Sequence, residues 1–308
     1  MKNSLKLSVM LFAFLAAFQS CNRKVKEVAS NDDLTSGTIK FVVDESFQPI
    51  VDEELYVFTK LYPNAKPSVI YRTENEGLRL LLNDSARFAI LSRALKPDEL
   101  KVLNSRTLPA VINCFAIDAV AIIVNEASTD TNITVGEIKK MLNGDTKQDR
   151  NIVFDNPNSS LVRYLKDLSG NKELKQKKVY ALKSNKEVLE YVSTHANAIG
   201  ITGFSWLNDP DKDYAEAVKK VKIVSVRDEG SKAFANQYFT PSQSTLALKQ
   251  YPLSRSLYII NCTGKQGLGT GFASFLLGVR GQKIILKSGL LPDSIPQREI
   301  NITHQLKQ

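Results

Sequence analysis

The chain has 308 residues, of which 43% are hydrophobic and 24% are charged, and its formal net charge is +9 at pH 7. A chain of this size can bury a substantial core, which favours two lobes over one. The positive charge suits an anionic ligand or a membrane surface, whereas basic residues spread along the chain without interleaved aromatics argue against a nucleic-acid partner.

The N-terminus has the parts of an export signal. Lys2 and Lys6 lie beside an apolar run over residues 7–18, and Ser20 follows that run. A basic region, a short apolar region and a small residue before the cleavage point are typical of a signal peptide. The run is shorter than the roughly 20 residues that span a bilayer, and no later segment is apolar enough to do so.

Cys21 comes directly after Ser20, so the signal resembles that of a bacterial lipoprotein. We therefore expect residues 1–20 to be removed, Cys21 to be lipidated, and the protein to be anchored in the periplasm or cell envelope. Ordinary secretion is the alternative. Residues 21–37 are polar without an apolar period, which predicts a flexible tether.

From residue 38 onward, strand-like and helix-like segments alternate, which predicts an α/β fold. Helices are predicted over residues 50–61, 75–82, from 97, and over 135–142, 161–168, 186–195 and 269–288. Strands are predicted over residues 39–43, 68–71, 88–91, 112–124, 152–154, 198–202, 221–226, 244–248 and 256–260. No internal repeat interrupts this pattern.

Three strand ends carry small polar or cationic residues where the next helix begins. In open α/β sheets ligands bind beyond the carboxyl ends of the strands, and the first N–H groups of a helix lack intrahelical partners. If the three turns converge, their donors surround an oxyanion; three unrelated helix caps are the alternative. The residues are Ser46 and Phe47, Ser92 and Arg93, and Asn158, Ser159 and Ser160.

Two cysteines remain after Cys21. Cys114 and Cys262 both lie in strand-like runs and lack the paired spacing of a zinc or redox site. In an exported protein they can form a disulfide, but two separate buried thiols agree equally well with the spacing.

The final third of the chain carries the most specific motifs. Residues 251–260 read YPLSRSLYII, residues 271–278 read GFASFLLG, and residues 281–292 read GQKIILKSGLLP. With residues 116–125, 133–144 and 197–203, these segments strongly resemble the phosphate-binding proteins of ABC uptake systems. The resemblance covers essentially the whole chain from about residue 38.

This resemblance implies a two-lobe type 2 periplasmic binding protein fold, in which two strands cross between the lobes and the ligand lies in the cleft. We expect the crossings near Asp118 and near residues 221–224. One lobe is then residues 38–117 plus 225–308, and the other is residues 118–224. Such lobes close around their ligand by a hinge motion.

The resemblance also implies the function, which is capture of phosphate or a related oxyanion and delivery to an ABC permease in the inner membrane. We expect a monomer that needs no cofactor and no metal ion. Ser46 and Phe47 correspond to the family's first binding loop, Ser92 and Arg93 to its second, and Asn158, Ser159 and Ser160 to its third.

The chain departs from the family in two loops, because the third loop lacks an arginine and the second lacks an aspartate. Arg93 is the candidate to replace the missing cation. Asp44, Glu45 or Asp155 is the candidate to accept the proton of hydrogen phosphate, which sulfate does not carry. Asp118 is a structural carboxylate or a secondary ligand contact. Sulfate, other tetrahedral oxyanions and organic phosphates therefore stay open as ligands.

Two other functions compete with uptake. Enzymatic activity is not expected, because the only histidines are His195 and His304 and no nucleophile-elbow, metal-ligand or Walker spacing is present. The second alternative is a surface lipoprotein with the same fold that acts as a sensor or binds a partner and has weakened anion binding.

Overall fold

The computed structural model describes residues 32–144, 150–174 and 176–294. The predicted signal peptide, the predicted lipidation site Cys21 and His304 lie outside these ranges. Among the described residues, no helix combines the length and apolar character needed to cross a membrane. The predicted alternation of strands and helices is confirmed, and the chain is an α/β protein.

The described strands are β1 (Gly37–Asp44), β2 (Ala65–Arg72), β3 (Phe88–Leu91), β4 (Val111–Asn125), β5 (Asn132–Thr134), β6 (Asn151–Phe154), β7 (Val179–Ala181), β8 (Ala198–Gly203), β9 (Val221–Ile223), β10 (Ser225–Arg227), β11 (Ser254–Asn261) and β12 (Leu291–Pro292). The described α-helices are α1 (Gln48–Leu61), α2 (Glu74–Leu82), α3 (Pro97–Ser105), α4 (Val135–Leu142), α5 (Ser160–Ser169), α6 (Asn185–Thr194), α7 (Ala215–Lys219), α8 (Gln243–Ala247), α9 (Leu268–Leu277) and α10 (Val279–Lys287). Two short 3-10 turns cover Glu45–Phe47 and Phe204–Trp206.

The main sheet has the strand order β2-β1-β3-β11-β4-β8-β6-β7. Strands β1, β2 and β3 run parallel to one another, as do β6, β7 and β8. Strand β4, with 15 residues, joins the two groups, because its first part pairs with β11 and its last part pairs with β8. The parallel strands of each group end at one edge of the sheet, where ligand sites form in α/β proteins.

Both faces of each strand group are covered. Along β1, Phe41 and Val43 belong to one hydrophobic cluster, whereas Val42 between them belongs to another on the opposite face. In the second group, β6 repeats this alternation, because Ile152 and Val153 belong to different clusters. Successive side chains of a strand point to opposite faces, so this pattern shows a sheet buried on both sides, as parallel sheets require.

Three element predictions were wrong. The strand predicted over residues 221–226 is two strands, β9 and β10, which pair with β4 and β5 respectively. Residues 244–248 form the helix α8 instead of a strand, because the Ser242 hydroxyl accepts the Thr245 amide and the Thr245 hydroxyl accepts the Ser242 amide. The helix predicted over residues 269–288 is two helices, since Gly278 between α9 and α10 has an extended backbone (φ −81°, ψ 169°). A side chain at Gly281 would lie 2.4 Å from the Phe275 carbonyl oxygen, so only glycine permits this sharp junction.

Cys114 and Cys262 are free thiols in this structure. Cys114 lies opposite Tyr258 in the β4–β11 pairing, whereas Cys262 follows Asn261, which lies opposite Val111. The two cysteines therefore occupy different places along neighbouring strands, and of the two alternatives the structure shows separate thiols.

Candidate functional site

The first strand-end turn is buried except at Glu45. Strand β1 ends at Asp44, whose carboxylate accepts the Ser46 backbone amide at 3.1 Å and so fixes the tight turn into α1. Asp44, Ser46 and Phe47 are each 0% exposed. Because a buried hydroxyl or carboxylate costs free energy unless it is paired, this concentration of polar groups points to a binding site.

The N-terminus of α5 meets this turn. The Ser160 hydroxyl donates to the Ser46 hydroxyl at 3.4 Å, and the Ser46 hydroxyl donates to Asp155 at 3.4 Å. Ser159 caps the helix by accepting the Val162 amide, and its hydroxyl donates to the other oxygen of Asp155 at 2.5 Å. The structure thus brings Ser46, Ser159 and Ser160 together around Asp155, at two helix starts where the positive end of the helix dipole favours an anion.

Asn158 lies apart from these groups. Its side chain is exposed, and its backbone amide donates to the Asn156 side chain in the turn that precedes α5. The amide side chain that does reach Asp155 is that of Asn185, at 3.1 Å, and Asn185 in turn accepts the Thr202 hydroxyl.

The cation at the site is Arg255 on β11, which the sequence interpretation missed. Its Nη1 donates to the Ser160 hydroxyl at 3.2 Å, its Nε donates to Asp118 at 3.0 Å, and its guanidinium carbon lies 4.6 Å from the Phe47 ring centre. A side chain at Gly203 would lie 2.9 Å from the guanidinium, so a glycine leaves the room that this arginine occupies.

Arg93, the predicted cation, is bound elsewhere. Its two terminal nitrogens donate to Glu99 at 2.8 and 2.7 Å, and its Nε lies 3.8 Å from Glu74. Ser92, its neighbour, donates to Glu74 at 2.7 Å and accepts Arg163 at 2.7 Å. In the second strand-end turn, Ser92 is therefore hydrogen-bonded to Glu74 and Arg93 is ion-paired with Glu99, and neither side chain contacts the serine cluster.

Thr73 at the end of β2 is a further candidate that the sequence interpretation missed. It precedes α2 as its N-cap residue, is 5% exposed, and has a buried hydroxyl without a hydrogen-bond partner among the described residues. Its position after a strand and before a helix is the same pattern that selected Ser46 and Ser92, so the pattern could have found it.

Burial changes the acidity of the carboxyl groups at the site. Burial, together with the nearby charge of Glu74, raises the pKa of Asp44 to about 7, although the Ser160 hydroxyl and Arg255 oppose the rise. Burial likewise raises the pKa of Asp155 to about 6 against the opposing Ser159 hydrogen bond, and raises the pKa of Asp118. Glu45, half-buried beside Asp44, has its pKa raised to about 7 by burial. Near neutral pH Asp44, Glu45 and Asp155 can therefore hold or accept a proton.

The donors and acceptors together suit a small oxyanion that carries a proton. Ser46, Ser159 and Ser160 supply hydroxyls, Arg255 supplies a charged N–H donor, and Asp155 supplies an acceptor. Within the described ranges, no group of His, Cys, Asp and Glu side chains is arranged to hold a metal ion.

A family model described as the PBP superfamily domain matches residues 28–280. The chain belongs to the PBP superfamily. It is 28% identical over 260 residues to the phosphate-binding protein PstS of Borreliella burgdorferi, and the alignment covers 79% of this chain and 85% of that protein. It is 24% identical over 243 residues to the PstS of Staphylococcus aureus strain USA300, which covers 75% of this chain and 70% of that protein.

Solved structures show the same fold. A protein from Clostridium perfringens, described as a phosphate ABC transporter substrate-binding protein with bound phosphate, aligns with a TM-score of 0.67 at 18% identity over 84% of this chain and 100% of its own. An ABC-type phosphate transport receptor from Vibrio cholerae aligns with a TM-score of 0.62 at 20% identity over 83% of this chain and 100% of its own. The predicted periplasmic-binding fold is confirmed.

This PBP-superfamily chain also has a tryptophan at the site, whose fluorescence can be measured. Trp206 is the only tryptophan in the sequence, and its indole N–H donates to the Ser46 carbonyl oxygen at 2.9 Å. It is 3% exposed and packs against Tyr214, in a different hydrophobic cluster from Phe47. Its environment therefore depends on the contact between the Phe204–Trp206 turn and the turn that contains Ser46.

Proposed function

We propose that this protein binds phosphate in the buried cluster of Ser46, Ser159, Ser160 and Arg255 and delivers it to an ABC permease. The observation that carries the proposal is the convergence of three hydroxyls and one guanidinium at two helix starts. Charge-assisted and hydroxyl hydrogen bonds at such a position recognise a tetrahedral oxyanion. The relatives named as phosphate-binding proteins and transport receptors support phosphate as that anion.

Selectivity against sulfate follows from the carboxyl groups. Asp155 contacts Ser46 and Ser159 directly, and Asp44 shares the turn with Ser46. A carboxylate at this place accepts the proton of hydrogen phosphate, whereas it repels sulfate, which has no proton at neutral pH. These two aspartates take the role that the family assigns to an acid in its second loop.

The packing supports revised crossing points between the lobes. Val224, Val226, Leu246 and Leu253 share a hydrophobic cluster with the last part of β4, which favours one lobe that extends from residue 119 to about residue 253. The first crossing then lies at Asp118, as the sequence suggests, and the second lies at Arg255 instead of residues 221–224. Asp118 and Arg255 are paired in the β4–β11 register, so both crossings meet at their ion pair.

Attachment to the cell surface is a separate part of the proposal. We infer from the N-terminal sequence that Cys21 carries a lipid, which holds the protein at the outer side of the membrane beside its permease. There it acts as a monomeric binding protein without catalytic activity. Labelling of the chain with a radioactive fatty acid, and its loss in Cys21→Ala, tests the anchor without any reference to anion binding.

The anion proposal is tested by titration calorimetry of the purified protein after bound anion has been removed by reversible unfolding and dialysis. The proposal predicts saturable phosphate binding with a micromolar or tighter Kd and no sulfate heat at the same concentrations. Equal binding of both anions would contradict the carboxylate role, and no binding of either would favour the sensor or partner-binding alternative.

A further inference from the structure

Arg163 forms an ion pair that joins two parts of the molecule. It lies one turn into α5, three residues after Ser160, and its Nε and Nη2 donate to the two oxygens of Glu74 at 2.5 and 3.2 Å. The contact is bidentate, which is the geometry in which an arginine holds a carboxylate most strongly. Glu74 begins α2, a helix that lies 89 residues before Arg163 in the chain.

Ser92 completes this cluster. Its hydroxyl accepts Arg163 Nη2 at 2.7 Å and donates to Glu74 at 2.7 Å, so each of the three side chains contacts the other two. The Glu74 side chain is only 2% exposed, and the other cation near it, Arg93, lies 3.8 Å away and is bound to Glu99. A buried carboxylate that loses its main partner is strongly destabilised, so Glu74 depends on Arg163.

The two sides of the cluster belong to different hydrophobic cores. Leu161 and Leu165 of α5 pack in the cluster that contains the end of β4, whereas Leu81 of α2 and Leu91 of β3 pack in another cluster. Rigid-body opening between these cores would separate Arg163 from both Glu74 and Ser92. The ion pair joins the two cores in this structure, and an opening that parts the cores would break it, which is how a contact shifts a two-state equilibrium.

From these contacts we infer that Arg163, through Glu74 and Ser92, holds the protein closed over its bound anion and so determines the rate at which the anion leaves. The inference rests on the proposed phosphate site but concerns residues that do not touch the serine cluster around Asp155. Arg163 and Glu74 are positioning residues here, and Ser92, predicted as a ligand contact, acts with them.

The test measures phosphate release from the full-length protein. Protein loaded with radiolabelled phosphate is mixed with excess unlabelled phosphate, retained label is followed by rapid filtration, and Kd is measured by equilibrium dialysis. Arg163→Gln should raise the dissociation rate about 10-fold or more, since a bidentate charge-assisted contact is lost from the closed state. The association rate, calculated from the two measurements, should stay within about twofold.

Matched variants separate closure from folding. Asp167→Asn removes an exposed partner of the same arginine, 3.3 Å from its Nη1 on the same helix, and should leave release unchanged. Glu74→Gln should accelerate release as Arg163→Gln does, and the double variant should be no faster than the faster single variant. Arg163→Lys keeps the positive charge but not the bidentate geometry, so its release should be slower than that of Arg163→Gln and faster than that of the wild-type protein.

Three results would overturn the inference. If the wild-type protein binds phosphate but Arg163→Gln and Glu74→Gln both release it at the wild-type rate, the closure role is wrong while the phosphate site stands. The closure role is also wrong if the effects of the two substitutions add in the double variant, as those of independent sites do. If the wild-type protein binds no phosphate, the proposed function and this inference both fail.

Discussion

Replacement of Arg255 by glutamine should weaken folding and phosphate binding through two separable effects. The guanidinium is 2.9 Å from Asp118, and both side chains are almost completely buried. Loss of one member of a buried ion pair costs about 3–5 kcal/mol of folding free energy, because the other charge is left uncompensated. Loss of a charge-assisted hydrogen bond to the anion costs about 1.5–3 kcal/mol, which weakens binding by roughly 10- to 150-fold.

A second variant separates the two effects. In Arg255→Gln/Asp118→Asn the buried charge is removed with its partner, so thermal stability should return most of the way to that of the wild-type protein. Phosphate affinity should stay low, because the cation is still absent. Stability is measured by thermal unfolding followed by circular dichroism, and affinity by the change in Trp206 fluorescence, with calorimetry as a check.

One result would refute the role of Arg255 in anion binding. If the double variant is stable and binds phosphate as tightly as the wild-type protein, Arg255 is a structural partner of Asp118 and not part of the anion site. A matched control is Arg93→Gln, which removes a largely buried arginine that pairs with Glu99. It should lower stability but leave phosphate affinity within about threefold of wild type, because Arg93 shares no partner with the serine cluster.

Three further predictions follow from the same structure. Asp155→Asn should reduce the preference for phosphate over sulfate at least about 10-fold, because an amide can donate to sulfate; unchanged selectivity in competition calorimetry would exclude Asp155 as the acceptor. The folded-state pKa of Asp44 is about 7 and its unfolded value is 3.8. The free energy of unfolding of the anion-free protein should therefore fall by up to ~4 kcal/mol as pH rises between these two values, and it should stay at the lower level at higher pH. Asp44→Asn should reduce the decrease of melting temperature with rising pH, and an unchanged decrease would contradict the assignment of this pH dependence to Asp44. Mass spectrometry of unfolded, unreduced protein after alkylation should find both Cys114 and Cys262 modified, and a mass that fits a disulfide would contradict the strand register.

The parts of the site that the sequence predicts are those that local pattern determines. Ser46, Ser159 and Ser160 each follow a strand and begin a helix, and parallel strands end at a common edge, so their convergence follows from the α/β pattern. Asp44 and Asp155 fit the same pattern, since each is the last residue of a strand or the first one after it.

Arg255 could not be placed in this way, because its role depends on a contact 137 residues away in the chain. Only the antiparallel pairing of β11 with β4 brings it opposite Asp118 and next to Ser160. The motif that contains it identified the family but not the function of its arginine. Conversely, Arg93 has the right local position, but Glu99, six residues later, binds both of its terminal nitrogens, so the structure does not bring it into the serine cluster.

The errors in secondary structure also have local physical causes. Residues 246–248 are apolar and follow Thr245, which a strand also accepts, but the reciprocal cap of Ser242 and Thr245 begins a helix there. The C-terminal helix was predicted as continuous because its apolar period continues through Gly278, and the break depends on the close approach of Gly281 to the Phe275 carbonyl.

A crystal structure of the protein grown with phosphate would locate the anion. We expect tetrahedral density in contact with the Arg255 guanidinium and the hydroxyls of Ser46 and Ser160, with a carboxylate oxygen of Asp155 or Asp44 within hydrogen-bond distance. Density bound instead beside Ser92 and Arg93, or in the separate surface cavity of about 310 Å³ that Lys40, Arg87 and Lys265 help to line, would contradict this location.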